Sequence, residues 1–346
     1  MPVVATADEC LAHPLQGFRN LVEARHCAAP AATALWRSFM VDGDHANVTP
    51  DGREVTDVLA DSNTRKFVLR HIDGAETESV LLPLVGKTGR PRTTLCVSSQ
   101  VGCAMGCTFC ATGTMGRSRN LTTAEIVAQW HHAVHTLQSS VTNIVFMGMG
   151  EPMDNFNAVL AALAVLTDGA GPAIGARHIG ISTVGHVDGI RALTEAMTKG
   201  GLRSLRLAVS INAPNDDIRG ELMPITRRWG LDDVADALDG WIAAGGRPVL
   251  LEWVLIPGVT DDPAFAEKLA DRFGHLPCRV NVIPYNPIAG RNWHAPNEAT
   301  IDRFMDAIQA VGLRVHRRAT LGRREAAACG QLITASRRPP KVPMTH

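Results

Sequence analysis

Three cysteines fall within eight residues, Cys103-Ala-Met-Gly-Cys107-Thr-Phe-Cys110, and this C-x3-C-x2-C run is where the sequence commits most openly to chemistry. Gly102 and Gly106 let the backbone fold back so that the three thiols face one centre. A structural zinc ion closes with four protein ligands, whereas a [4Fe-4S] cluster held by three thiolates leaves one iron open to chelate a small molecule. Cys103, Cys107 and Cys110 are therefore the expected metal ligands. A zinc knuckle completed by Cys96 or a distant histidine, and three unrelated buried cysteines, are the competing readings. The glycines, the aromatic Phe109 and the βα series that follows agree better with the cluster.

The elements that must carry this loop are legible from Cys96 onward. Apolar, β-branched runs at Asn143–Met147, His178–Ser182, Leu205–Ile211, Val249–Ile256 and Arg279–Ile283 alternate with helix-like segments, the pattern of βα units on a parallel sheet. Thr94–Val97 leads into the cysteines and makes a sixth strand. Six strands are too few for a closed eight-stranded barrel but enough for an open one. The expected class is thus α/β, a partial (β/α)6 barrel with a small N-terminal appendage. Its expected divisions are an accessory region at 1–92, a barrel with a C-terminal cysteine segment at 93–335, and a tail at 336–346. Residues 1 to about 65 are polar, helix-compatible and poor in motifs, and Val80–Pro83 pairs with Thr94–Val97 around a basic loop. Thr122 with Glu125 makes a capping box, and Asp232 and Asp261 are candidate starts of later helices.

In parallel βα folds ligands bind beyond the strand C-termini. There this sequence places Gly148-Met-Gly150-Glu151-Pro152, Ser182-Thr183, Ser210-Ile211-Asn212-Ala213-Pro214-Asn215-Asp216 and Pro284-Tyr285-Asn286-Pro287. Polar residues converging on one barrel mouth imply a ligand site.

The chain has 346 residues, 45% of them hydrophobic, and a formal net charge of zero, so an anionic partner must be argued from local clusters. Two exist: Lys87, Arg90 and Arg92 in a Gly/Pro-rich loop, and Arg314, His316, Arg317, Arg318, Arg323 and Arg324 before Cys329. No apolar run is long enough to span a bilayer, and Met1–Leu15 carries acidic residues where a secretion signal needs basic ones, so a cytoplasmic protein without membrane association is expected. Eight cysteines in that compartment point to metal binding or catalysis instead of a disulfide framework. Cys10, Cys27 and Cys278 have no motif around them and are expected to be small buried hydrophobes.

The cysteine loop after a first strand resembles that of the radical S-adenosylmethionine (SAM) superfamily. Four segments are more specific: Cys96-Val-Ser-Ser-Gln-Val-Gly-Cys103, Gly148-Met-Gly-Glu151-Pro152, Ala213-Pro-Asn-Asp216 and Ala327-Ala328-Cys329-Gly330-Gln331-Leu332. Together, from about Asp61 to Leu332, they resemble the RlmN/Cfr family of RNA adenine methyltransferases. The resemblance implies a radical SAM barrel with one [4Fe-4S] cluster and SAM as cofactors. It implies that Cys329 carries a methyl group from which a 5′-deoxyadenosyl radical takes hydrogen, that Cys96 resolves the resulting enzyme–RNA adduct through a transient disulfide, and that Glu78 accepts a proton. It further implies a SAM pocket of Gly150, Glu151, Ser182, Ser210, Ile211, Asn212 and Asn286. The implied partners are a structured RNA, ribosomal or transfer, and an external electron donor such as a flavodoxin or ferredoxin. Carbon 2 of an adenine in 23S ribosomal RNA ranks first as target and carbon 8 second; these carbons are electron-poor, so a radical is needed. Without the resemblance Glu78 would be one surface carboxylate among many and the pocket residues strand-end turns.

Three departures from the family pattern stand out: Asn212 where histidine is usual, a basic insertion lengthening Leu84–Arg92, and Arg323-Arg324 in place of acidic or polar residues. Two other functions fit the motifs less fully. One is a radical SAM enzyme acting on a peptide or small molecule, and the other is a non-catalytic, metal-bearing RNA-binding protein.

Overall fold

The computed structural model describes residues 5–25, 28–50, 52–61, 64–85, 89–318 and 330–332. Two short strands, β1 (Ala5–Thr6) and β2 (Val48–Thr49), pair with each other in an N-terminal appendage that also holds helices Ala7–Ala12, Leu15–Glu23 and Ala29–Arg37. Strands β3 (Glu54–Asp61), β4 (Thr64–Arg70), β5 (Glu76–Val85) and β6 (Pro91–Val97) follow as antiparallel neighbours. A separate hairpin, β7 (Gln100–Cys103) with β8 (Gly116–Asn120), brackets the cysteine loop. Then β9 (Asn143–Phe146), β10 (Ile179–Thr183), β11 (Arg206–Ser210), β12 (Val249–Leu255), β13 (Cys278–Pro284) and β14 (Val315–Arg317) each add in parallel, giving one ten-stranded sheet ordered β14-β13-β12-β11-β10-β9-β6-β5-β4-β3.

The parallel half is built as its sequence dictates. Strand β12 reads Val-Leu-Leu-Glu-Trp-Val-Leu, almost continuously apolar, as a strand covered on both faces must be. The covering helices bury one stripe each; Val187–Lys199 buries Val187, Ile190, Leu193 and Met197, spaced for one helical face. Each such side chain contributes roughly 1.5–3 kcal/mol when removed from water. The expected box at Thr122 is present, with Glu125 N donating to the Thr122 hydroxyl at 3.2 Å and Thr122 N donating to the Glu125 carboxylate at 2.8 Å.

The partial barrel expected from the sequence is present; five of the six strands lie within a residue of their expected ends, and β6 starts three residues early, at Pro91. The structure adds β14, a seventh parallel strand; its three residues sit in an arginine-rich run and carry no periodicity. The helix-compatible stretch before residue 65 holds three helices as expected, but its end is β3, an edge strand whose alternating exposed and half-buried residues include Glu54 and Asp57. Charges of this kind protect a free edge and mask the strand pattern. The two other expected caps lie elsewhere. Gly230 precedes helix Leu231–Ala243 and is capped by Asp233, leaving Asp232 paired with Arg272 at 2.9 Å. Asp261 instead closes a turn by accepting from Gly258 N at 2.7 Å, ahead of helix Phe265–Phe273.

Candidate functional site

The cysteine loop is fixed at both ends. At Gly102, where φ is +78°, a Cβ would lie 1.9 Å from the Gly116 carbonyl oxygen, so only glycine lets β7 and β8 approach. Between the second and third cysteines Thr108 N donates to Leu222 O at 2.9 Å, which ties the loop to helix Asp216–Leu222. Cys103, Cys107 and Cys110 line one cleft at the C-terminal end of the parallel strands, with a cavity volume of about 160 Å³. Burial pushes the Cys103 thiol up to about 12 and Cys107 well above the usual thiol range, and the neighbouring thiols act in the same direction. Such a trio ionises only when a cation supplies the counter-charge, and the donor set fits iron. No three described His, Cys, Asp or Glu side chains converge tightly enough for a single metal ion. Cys96 is not among the residues that line this cleft.

The opposite wall comes from the strand ends. Gly150, Glu151, Ser182, Ser210 and Asn286 all line the cleft. Gly150 has φ +99°, and a Cβ there would lie 2.6 Å from the Gln100 side chain. The buried Glu151 carboxylate accepts from Met153 N at 3.1 Å and Val184 N at 2.9 Å, yet burial outweighs both bonds and raises its pKa to about 7. Ile211 and Asn212 are not in the lining. Ile211 is fully buried in the main core. Asn212 takes a left-handed φ of +58°, which asparagine tolerates; its Oδ1 accepts from Val254 N at 2.8 Å and its amide donates to the Met223 sulfur at 3.2 Å. Both ends of that side chain are thus committed to the protein.

Arg219 escaped the sequence reading. It lies on helix Asp216–Leu222, is fully buried, and donates to the carbonyls of Val184 at 2.6 Å, Ser210 at 3.1 Å and Ile211 at 3.2 Å and to the Thr226 hydroxyl at 3.0 Å. The guanidinium therefore ties the loops leaving β10 and β11 to each other. Burial lowers its pKa to about 10, opposed by the nearby Cys107 thiol. Its only sequence signal is its place four residues beyond the helix-capping Asn215.

Cys96 and Glu78 stand beside this cleft, outside its lining. Cys96 pairs with Val80 across β6 and β5, and side-chain alternation puts Glu78, two residues from Val80, on the same face. Glu78 is not the surface carboxylate it would be without the resemblance: it is fully buried, 3.0 Å from Lys66 Nζ, and its carbonyl accepts from Ser98 Oγ at 2.7 Å. Cys96 packs with Val80, Met149 and Leu332. Leu332 in turn accepts at its carbonyl from Thr112 Oγ1 at 2.6 Å, while Gly330 O accepts from Ala111 N at 2.7 Å. The segment 330–332 thus bridges the cysteine loop and Cys96. Cys329, Arg323, Arg324, Lys87 and Cys27 lie outside the described residues. Of the rest of the second basic cluster, Arg317 pairs with Glu298 and Arg318 lines the cleft 3.6 Å from Glu252.

The signature of the Radical SAM superfamily matches residues 97–269. A probable dual-specificity RNA methyltransferase RlmN of Akkermansia muciniphila is 42% identical over 272 residues, 78% of this chain and 74% of that protein. The dual-specificity RNA methyltransferase RlmN of Halorhodospira halophila is 41% identical over 279 residues, 80% of this chain and 75% of its own. The chain belongs to the RlmN family. In line with that membership, the crystal structure of a radical SAM methyltransferase from Sphaerobacter thermophilus superposes with a TM-score of 0.86 at 34% identity, covering 95% of this chain and 99% of that one. RlmN-family proteins of the radical SAM type use a [4Fe-4S] cluster and SAM, and the thiol trio and the cleft beside it suit both. No helix among the described residues is long and apolar enough to cross a membrane.

Proposed function

We propose that this chain methylates an adenine carbon of a structured RNA, carbon 2 in 23S ribosomal RNA ahead of carbon 8 or a transfer RNA, with Cys329 as methyl carrier and Cys96 as resolving thiol. The observation that carries the reading is the segment directly following Cys329, which is hydrogen-bonded to the cysteine loop through Gly330 and Leu332 and packed on Cys96 through Leu332. A methyl carrier must reach both the radical source and the thiol that releases the product, and this segment joins the two.

Bound together, the cluster and SAM supply a 5′-deoxyadenosyl radical. The chain does the rest of the work. Cys103, Cys107 and Cys110 hold the cluster, and Gly148 and Gly150 bring backbone close to the ligand. Glu151, Ser182, Ser210 and Asn286 present polar groups to SAM. Cys329 bears a methyl group taken from a first SAM; that group loses hydrogen and joins the base. The adduct then gives up one electron, returned to the cluster oxidised in cleaving the second SAM, and a proton from the base carbon to Glu78. The Cys96 sulfur attacks the Cys329 sulfur, forming the disulfide, breaking the carbon–sulfur bond and leaving a methylene that is protonated to the methyl of the product. The target adenosine must leave its stack to enter so enclosed a cleft. An acidic flavodoxin or ferredoxin supplies the electron. In a cytoplasmic setting the disulfide is transient. Mass spectrometry of adenosines in RNA from cells with and without the gene tests the assignment: 2-methyladenosine is expected to vanish with the gene, and unchanged methyladenosines overturn it.

A further inference from the structure

The geometry points to a second RNA contact at the end of the barrel opposite the cleft, an arc of exposed arginines that grips backbone phosphates of the same substrate. This inference rests on the RNA-substrate reading above and extends it to a surface that the chemistry does not use.

All strands of the parallel half start at one end. At that end Arg92 is the second residue of β6, Arg177 lies two residues before β10, Arg206 opens β11, Arg247 lies two residues before β12, and Arg279 is the second residue of β13. Since neighbouring strands sit about 4.8 Å apart, strand pairing gathers residues far apart in sequence into one band. All five are exposed, and among the described residues none has a carboxylate within ion-pair distance. Four other arginines, Arg119, Arg228, Arg272 and Arg317, are each matched to an acid. The arc is also crowded enough for its charges to oppose one another. Arg206 is held below the usual arginine range first by burial and then by Arg247, Arg92 and Arg279, and His178 is lowered by burial and by Arg177, Arg206 and Arg92.

A chain of zero net charge that segregates five uncompensated guanidinium groups on one rim presents a local positive field, and the planar fork of arginine matches phosphate oxygens in pairs. An acidic electron donor is a poorer occupant. Strands of five to seven residues at about 3.3 Å per residue put the arc roughly 16–23 Å from the cysteine loop, the wrong end for delivering an electron. A long folded RNA can touch both ends; a short hairpin seated in the cleft cannot.

The test compares wild-type holoenzyme with the triple variant Arg206→Gln, Arg247→Gln, Arg279→Gln, using a protein-free 23S ribosomal RNA transcript and a short hairpin bearing the target adenosine, each titrated across KCl. The variant is expected to bind the transcript about tenfold or more weakly at low salt, with the slope of log affinity against log salt flatter by about 2–3 units, roughly one per arginine. Hairpin affinity, thermal stability and RNA-independent cleavage of SAM should not change. An unaltered slope on the transcript overturns the inference, as does an equal loss on both RNAs. Slowed reduction by a flavodoxin with RNA affinity intact assigns the arc to a protein instead. Wild-type protein that binds neither RNA overturns the substrate reading along with this one.

Discussion

Two of the places where this molecule buries ionisable groups handle them in opposite ways. At the contact between the appendage and the helix Thr123–His131, which runs on as a wider turn through Thr136, His131 Nε2 lies 3.0 Å from the Phe39 carbonyl and His135 Nε2 3.1 Å from the Met40 carbonyl. The His131 ring also stacks on Phe39 with centroids 4.3 Å apart. Burial holds both imidazoles neutral, and the fold itself completes their bonding. In the cleft the same desolvation raises Cys103, Cys107 and Glu151, and among the described residues no cationic side chain is hydrogen-bonded to them. Burial that the protein resolves by itself is packing; burial left for a ligand to resolve marks the site.

The sharpest way to break this comparison is to remove the thiols. Alanine at Cys103, Cys107 or Cys110 should abolish the roughly four irons and the brown absorption of anaerobically reconstituted protein while leaving the circular dichroism intact. His131→Phe should bind iron normally. Stoichiometric zinc in place of iron would show that the cleft was misread.

The two cysteines proposed as resolving thiol and methyl carrier should separate from each other. Cys96→Ala should trap protein covalently on RNA, because the adduct forms and cannot be released, whereas Cys329→Ala should give no adduct. Denaturing gels of each variant after turnover with labelled RNA read the difference directly, and two variants that both turn over normally would remove the pair from the mechanism.

How much of this was visible beforehand depends on how far apart the cooperating residues lie in sequence. The C-x3-C-x2-C loop, the Gly148–Glu151 turn and the Thr122–Glu125 box are local, so residue type and spacing carried them. The Lys66–Glu78 pair is a diagonal contact across β4 and β5, and the sequence pattern announced no strand at β4. Asn212 was placed by its motif, but its left-handed φ and its bond to β12 depend on a strand 42 residues away. Arg219 bonds to carbonyls, which every residue carries, so no pattern announces it. The arginines of the arc are joined only by parallel register, which a linear reading does not assemble.

Glu151 should leave a pH signature in the cofactor-free protein. Its carboxyl lies at about 7 when folded against 4.5 as the ordinary value, so the folded state binds the extra proton between those limits. The stabilisation is complete below about pH 4.5 and is lost as pH rises through 7, a difference on the order of 3 kcal/mol. In Glu151→Gln this falling slope should disappear from denaturant midpoints measured across pH 5–7.5, and a slope that persists unchanged would assign it to another group. SAM, through its ammonium group, should shift the folded-state value back down when it binds.

His131 supplies the smaller and opposite slope. Its imidazole is lowered to about 3 against 6.5, with burial the chief cause; the Phe39 carbonyl pulls the other way, and His135, His132 and His45 add to the lowering. Here the unfolded state binds the extra proton, so the stabilisation is complete above pH 6.5 and is lost as pH falls toward 3. At pH 5 the loss is on the order of 2 kcal/mol. Because the ring stacks on Phe39, His131→Phe keeps the aromatic contact, removes the titration and forfeits one bond to a carbonyl. Its stability curve between pH 5 and 6.5 should therefore run flatter than the parent's from a somewhat lower plateau, while its iron content and cleavage of SAM stay unchanged. Parallel curves for parent and variant would mean that the appendage contact does not carry this proton linkage, and the contrast with the cleft would then rest on Glu151 and the thiols alone.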